Sequence, residues 1–181
     1  MISEPFQKYE IPGPIKALVI SKPKVVSSII KRAKNPIFIV GHESTKVELN
    51  GKKPIDYVIR MAKASDIPVV AVSNTAREFL KRDFKPKALM ASMEIGNLLT
   101  DPNWSINGKG PHDIALILGI TYYVEWVILS GLKSFAYNHL KTISLDRYYQ
   151  PNANWSFPNL SLKEWYENLE EIARELGVME K

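Results

Sequence analysis

The sequence contains no cysteine. Disulfide scaffolds, thiolate zinc sites and cysteine-ligated iron–sulfur clusters are therefore excluded for this chain. Equally absent are a GxxxxGK(S/T) phosphate loop, a GxGxxG turn, a GxSxG elbow and an HExxH pair. Histidine is scarce: His42, His112 and His139 fall in three separate loops without short metal-ligand spacing, and read as isolated polar loop residues. Carboxylates offer no acid–base pair, because each reads as part of a solvated helix face or loop. The first residues lack a basic segment followed by an apolar one, so a secretory signal is not expected.

What is present describes one ordinary globular domain. The chain has 181 residues, of which 45% are hydrophobic and 24% charged, which excludes a disordered chain. The net charge of +5 divides unevenly, at +9 over residues 1–90 and −4 over residues 91–181. Only Lys81, Arg82, Lys85 and Lys87 bunch together, and they lack the series of interleaved aromatics of a single-strand binder. That distribution reads as a solvated lysine-rich face, and no nucleic-acid partner is expected. The apolar stretch 114–132 is long enough for a membrane span and carries one charge, Glu125. Gly119 and Thr121 divide it into a strand-like and a helix-like half, which fits a βα unit; no membrane association is expected, and the cytoplasm is the expected location.

Strand and helix signals alternate along the chain, which predicts an α/β fold with a mainly parallel sheet in a three-layer, doubly wound arrangement. Apolar runs at 37–41, 67–72, 113–118 and 141–145 read as strands buried on both faces. Helices are expected over about 23–34, from 54, over 75–82, within 87–100, over 121–135 and from 161. Ser161 and Glu164 form a capping box for the last one. Residues 1–20, with Ile11-Pro12-Gly13-Pro14, read as an N-terminal arm, and residues 21–181 as a single nucleotide-binding-like domain. The helix at 122–132 is apolar nearly all round, which favours contact with a partner.

In doubly wound sheets, ligands bind beyond the carboxyl ends of the strands at the switch point. Gly41-His42, Ser73-Asn74 and Gly119-Ile120-Thr121 stand at such ends, and Asp146 ends a fourth strand. Glycine allows a phosphate to approach the backbone, and helix N-termini offer free N–H groups. Gly41, His42, Ser73, Asn74, Gly119, Thr121 and Asp146 are therefore the candidate cofactor-binding residues, with Asp146 toward a ribose or adenine. A valine at 119 would crowd the ligand and leave the sheet folded. Glycine after a buried strand is also ordinary turn chemistry, and both readings stay open. No catalytic or metal-ligating residue is assigned.

Ile11-Pro12-Gly13-Pro14, the segment from Ile30 through Gly41, Leu99-Thr100-Asp101-Pro102-Asn103-Trp104, and Ser156-Phe157-Pro158-Asn159-Leu160-Ser161 together resemble the epsilon subunit family of the archaeal acetyl-CoA decarbonylase/synthase (carbon monoxide dehydrogenase) complex. The blocks span nearly the whole chain in order. The resemblance implies a deoxyhypusine-synthase-like NAD/FAD-binding fold. It implies an accessory role in one-carbon metabolism and methanogenesis: stabilising the catalytic alpha subunit of carbon monoxide dehydrogenase in a hetero-oligomer and assisting electron transfer to FAD. The nickel and iron–sulfur clusters belong to the alpha subunit in this family. The sequence departs from the family pattern in its more apolar, more aromatic 122–132 helix and its longer loop after Gly41. A free-standing flavin or nicotinamide nucleotide-binding protein is the alternative.

Overall fold

The computed structural model describes residues 15–72 and 75–177. Seven strands form one sheet in the order β1-β7-β6-β5-β2-β3-β4, and every pairing is parallel. They are β1 (Leu18–Val19), β2 (Pro36–Val40), β3 (Val69–Val72), β4 (Ala88–Met90), β5 (Ile114–Leu118), β6 (Lys141–Ser144) and β7 (Trp155–Ser156). The helices are α1 (Lys24–Arg32), α2 (Pro54–Ser65), α3 (Ala76–Leu80), α4 (Ser92–Leu98), α5 (Tyr122–Phe135) and α6 (Leu162–Glu175).

Side chains alternate across a strand, so an all-apolar strand must be covered on both sides. Phe38, Val40, Leu116 and Leu118 point into a core with α1, α2, α3 and α6, whereas Ile37, Ile39, Ala115 and Ile117 point into a second core with α4 and α5. This is the three-layer α/β architecture. Across the first core, the guanidinium of Arg60 on α2 donates to both oxygens of Glu170 on α6, at 2.7 and 2.9 Å. At α6 the amide of Glu164 donates to Ser161 Oγ at 3.3 Å, and Glu164 Oε2 accepts from the Ser161 amide at 2.9 Å, completing the expected capping box.

The described part of the expected arm is not separate from the domain. Ala17, Leu18 and Ile20 donate backbone hydrogen bonds to the carbonyls of Pro151, Asn154 and Ser156, and β1 extends the sheet beyond β7. The proline motif at 11–14 lies outside the described residues. The stretch 114–132 divides as expected into β5 and α5, and among the described residues no helix is long and apolar enough to cross a membrane.

The proline- and glycine-containing loop 101–111 is pinned to the sheet's amino edge. Buried Asn35 donates from Nδ2 to the Gly110 carbonyl at 2.7 Å and accepts at Oδ1 from Asn107 Nδ2 at 2.8 Å. His112, also buried, meets the Asn35 carbonyl through Nδ1 at 2.9 Å and accepts from the Ile106 amide at Nε2, 3.3 Å. A neutral imidazole protonated at Nδ1 fits both contacts, and burial lowers the pKa of His112 accordingly. The ring of Trp104 packs on His112 at 5.5 Å between centroids. The loop histidine expected to be isolated is thus a structural pin.

Candidate functional site

The sheet order reverses between β2 and β5: β3 and β4 continue to one side of β2, while β6 and β7 continue beyond β5. Val40 pairs with Leu118, so the carboxyl ends of the two strands are level. Gly41 and Gly119 follow directly, as the sequence indicated, and this is the switch point where α/β sheets hold ligands.

The reason for glycine at both positions is nearer than a ligand. A Cβ built on Gly41 would lie 2.2 Å from the Gly119 carbonyl oxygen, and one on Gly119 would lie 2.5 Å from the Ser44 amide nitrogen. Gly119 also has φ of +79°, a region that disfavours side chains. The two glycines let the β2 and β5 turns touch each other. Their amides are committed too: Gly41 donates to the Leu118 carbonyl at 2.9 Å, and Gly119 donates to both Asp146 oxygens at 2.9 and 3.0 Å. A pyrophosphate therefore finds no free donor at either glycine. A valine at 119 would strain the turn itself, contrary to the expectation that it would spare the fold.

Beside this contact lies a cavity of about 340 Å³, lined in part by Thr121, Tyr122, Glu125, Asp146, Arg147 and Trp165. Thr121 is exposed at the start of α5. His42 opens a 3₁₀ turn (His42–Thr45) and faces solvent outside the cavity lining. Ser73 and Asn74 lie outside the described residues. The structure thus brings Gly41, Gly119, Thr121 and Asp146 together and leaves His42 apart.

Sequence reasoning missed the chemically distinctive group. Glu125 is fully buried on the inner face of α5, its Oε2 accepting from Gln150 Nε2 at 3.2 Å. Its Oε1 and the neighbouring Ser144 Oγ have no hydrogen-bond partner among the described residues. Burial, followed by the adjacent Asp146 carboxylate, pushes Glu125 well above the usual carboxylate range. Asp146 is pushed up to about 6, mainly by burial and against the lowering effects of Glu125 and the Gly119 amide. The expectation that every carboxylate sits on a solvated face fails here. The available signal was one acid inside an otherwise apolar helix, Tyr123-Val124-Glu125-Trp126-Val127.

A second feature lies on the outside of α5. Tyr123, Val127 and Phe135 are 66%, 49% and 73% exposed at four- and eight-residue spacing, with open space beside Gly131 between them. The helix that looks apolar all round therefore has two apolar faces, one covered by Ile128, Leu129 and Leu132 and one uncovered.

Residues 1–173 match the family described as CO dehydrogenase beta subunit/acetyl-CoA synthase epsilon subunit. A relative from Methanothermobacter thermautotrophicus, named acetyl-CoA decarbonylase/synthase complex subunit epsilon, is 33% identical over 172 residues, covering 94% of this chain and 95% of the relative. Proteins of the same name from Methanothrix soehngenii (34% identical, 87% of this chain and 81% of the relative) and Methanocaldococcus jannaschii (33%, 84% of each) agree with it. With a match over almost its entire length, the chain belongs to the CO dehydrogenase beta subunit/acetyl-CoA synthase epsilon subunit family.

Proposed function

We propose that this chain is the accessory epsilon subunit of an acetyl-CoA decarbonylase/synthase complex. In this reading it stabilises the catalytic alpha subunit of the carbon monoxide dehydrogenase component and contributes surface in place of chemistry. The observation that carries the reading is the uncovered apolar stripe Tyr123, Val127 and Phe135 on α5. Large apolar side chains aligned on one helix face mark a protein contact, and aromatic anchors in such contacts typically cost about 2 kcal/mol or more when truncated. The cysteine-free sequence supports it, because redox clusters must then be held by a partner.

A flavin at the switch point is the second reading, and the residues there do not fit FAD's pyrophosphate. The Gly41 and Gly119 amides are occupied by the Leu118 carbonyl and the Asp146 carboxyl, so neither strand-end glycine offers a pyrophosphate a free N–H donor. In this reading the chain carries no electron-transfer step of its own. The test is co-purification with the alpha subunit of the Val127→Glu and Phe135→Ser variants, each checked for folding by thermal melting. Loss of association from folded variants is the expected result. Unchanged association of both would remove the α5 surface from the interface, and carbon monoxide oxidation by the pure chain would overturn the accessory role.

A further inference from the structure

The lysines that bunch in sequence separate in the fold. Lys81 Nζ pairs with Glu78 at 2.6 Å, while Arg82 is held by Asp56 and by Glu78, the latter at 3.1 Å. Lys85 and Lys87 instead join the amino edge of the sheet, where two adjoining hollows of about 380 and 580 Å³ open beside the starts of β2, β3 and β4. Lys31 and Lys34 line the first hollow, Lys63, Lys85 and Lys87 line the second, and Lys109 lines both. All six are exposed.

Carboxylates do not balance them. Asp66 lines both hollows and reaches only Lys109, at 3.8 Å, across an exposed pair. Asp113, nearby, spends its oxygens on the amides of Lys34 and Asn35, at 2.6 and 2.9 Å. Lys31, Lys34, Lys63, Lys85 and Lys87 have no ion-pair partner among the described residues. Like charges gathered this closely repel one another, and an acidic partner converts that repulsion into attraction and faster encounter.

We propose that this basic basin docks an acidic surface of another subunit of the complex, a contact separate from the apolar stripe of α5. The proposal rests on the accessory-subunit reading. A protein face is favoured over nucleic acid because the basin offers no stacking platform: Phe84 is half-buried with Lys63 Nζ 6.0 Å over its ring. The nearby Arg82 is already committed to Asp56 and Glu78, so no planar fork is free there for phosphate. A small anion is disfavoured because the lysines surround two hollows and do not converge on one point.

The test measures association of the full chain with the purified partner subunits as potassium chloride is raised. The parent is compared with the Lys63→Glu/Lys85→Glu/Lys87→Glu variant, its all-Gln counterpart in case the reversed charges impair folding, and a Lys163→Glu control on α6. Parent affinity should fall steeply with salt. The triple Glu variant should bind about tenfold or more weakly at low salt, with a flatter salt dependence, while the control matches the parent. A parent that associates, with both triple variants matching its affinity and salt slope, overturns the basin as a docking surface. A parent that does not associate at all overturns the subunit reading and this inference with it. Tighter binding of a short mixed-sequence DNA duplex than of the subunits, at equal salt, assigns the basin to nucleic acid and also overturns the proposal.

Discussion

Replacing Glu125 by glutamine removes the titrating hydrogen of a fully buried carboxyl while preserving its shape and its contact with Gln150. Glu125 and Asp146 both hold protons more tightly folded than unfolded. From the ordinary carboxylate range up to the folded pKa values, the native state therefore binds more protons than the unfolded chain, and stability falls as pH rises. Each excess proton contributes a slope of about 1.4 kcal/mol per pH unit. For Asp146, the rise from 3.8 to about 6 sets a ceiling of about 3 kcal/mol, fully lost above the folded pKa. Because the two carboxyls interact, they titrate as a pair, and Asp146 keeps its own contribution in the glutamine variant. His112 acts in the opposite sense, since its lowered pKa makes stability fall as pH drops through the ordinary histidine range. Its contribution cancels between parent and variant. Urea denaturation from pH 5 to pH 8 should thus show Glu125→Gln gaining stability on the parent as pH rises, by up to about 1.4 kcal/mol per pH unit wherever the parent's Glu125 holds its excess proton. Parallel stability–pH curves, or a variant less stable at pH 8, would refute the account of Glu125 as a buried proton holder.

Three further substitutions probe the turns that frame the site and the amino edge. Gly119→Ala should cost about 2 kcal/mol or more in chemical denaturation, because its Cβ meets the Ser44 backbone at 2.5 Å and φ is +79°. Gly108→Ala, at φ of +71° with nothing within 4 Å, should cost only about 1 kcal/mol. Asn35→Ala should cost about 1–3 kcal/mol and raise hydrogen exchange across 105–112, since it frees the Gly110 carbonyl and Asn107 together.

The interior strands were legible because burial on both faces leaves a continuous apolar run, as in Ile37-Phe38-Ile39-Val40 and Ile114-Ala115-Leu116-Ile117-Leu118. The strands β1 and β7, two residues each, left no such trace. Leu18 and Val19 are exposed, and what makes them a strand is a partner far along the chain. The switch point could be read from two strand-end glycines, but its physical cause could not. Nothing local distinguishes a glycine that admits a phosphate from one that admits another stretch of backbone, and Gly41 and Gly119 are of the second kind. Glu125 was misread because helical periodicity gives no sign of which face of a uniformly apolar helix is covered. Here Ile128, Leu129 and Leu132 set the inward face, and the acid lies with them.

The pairing of Leu18 with Trp155 has a consequence for how the chain comes into being. A polypeptide leaves the ribosome from its amino end, so β1 emerges long before the strand that receives it. The β2–β3–β4 side can close early, because its parallel crossovers are local in sequence. Residues 17–20 must wait, holding Ala17 and Ile20 in water, until 151–156 have appeared and taken their place beside β6. Residues 17–20 are therefore made early and seated late, and a nascent chain arrested before residue 151 should leave them accessible to a protease.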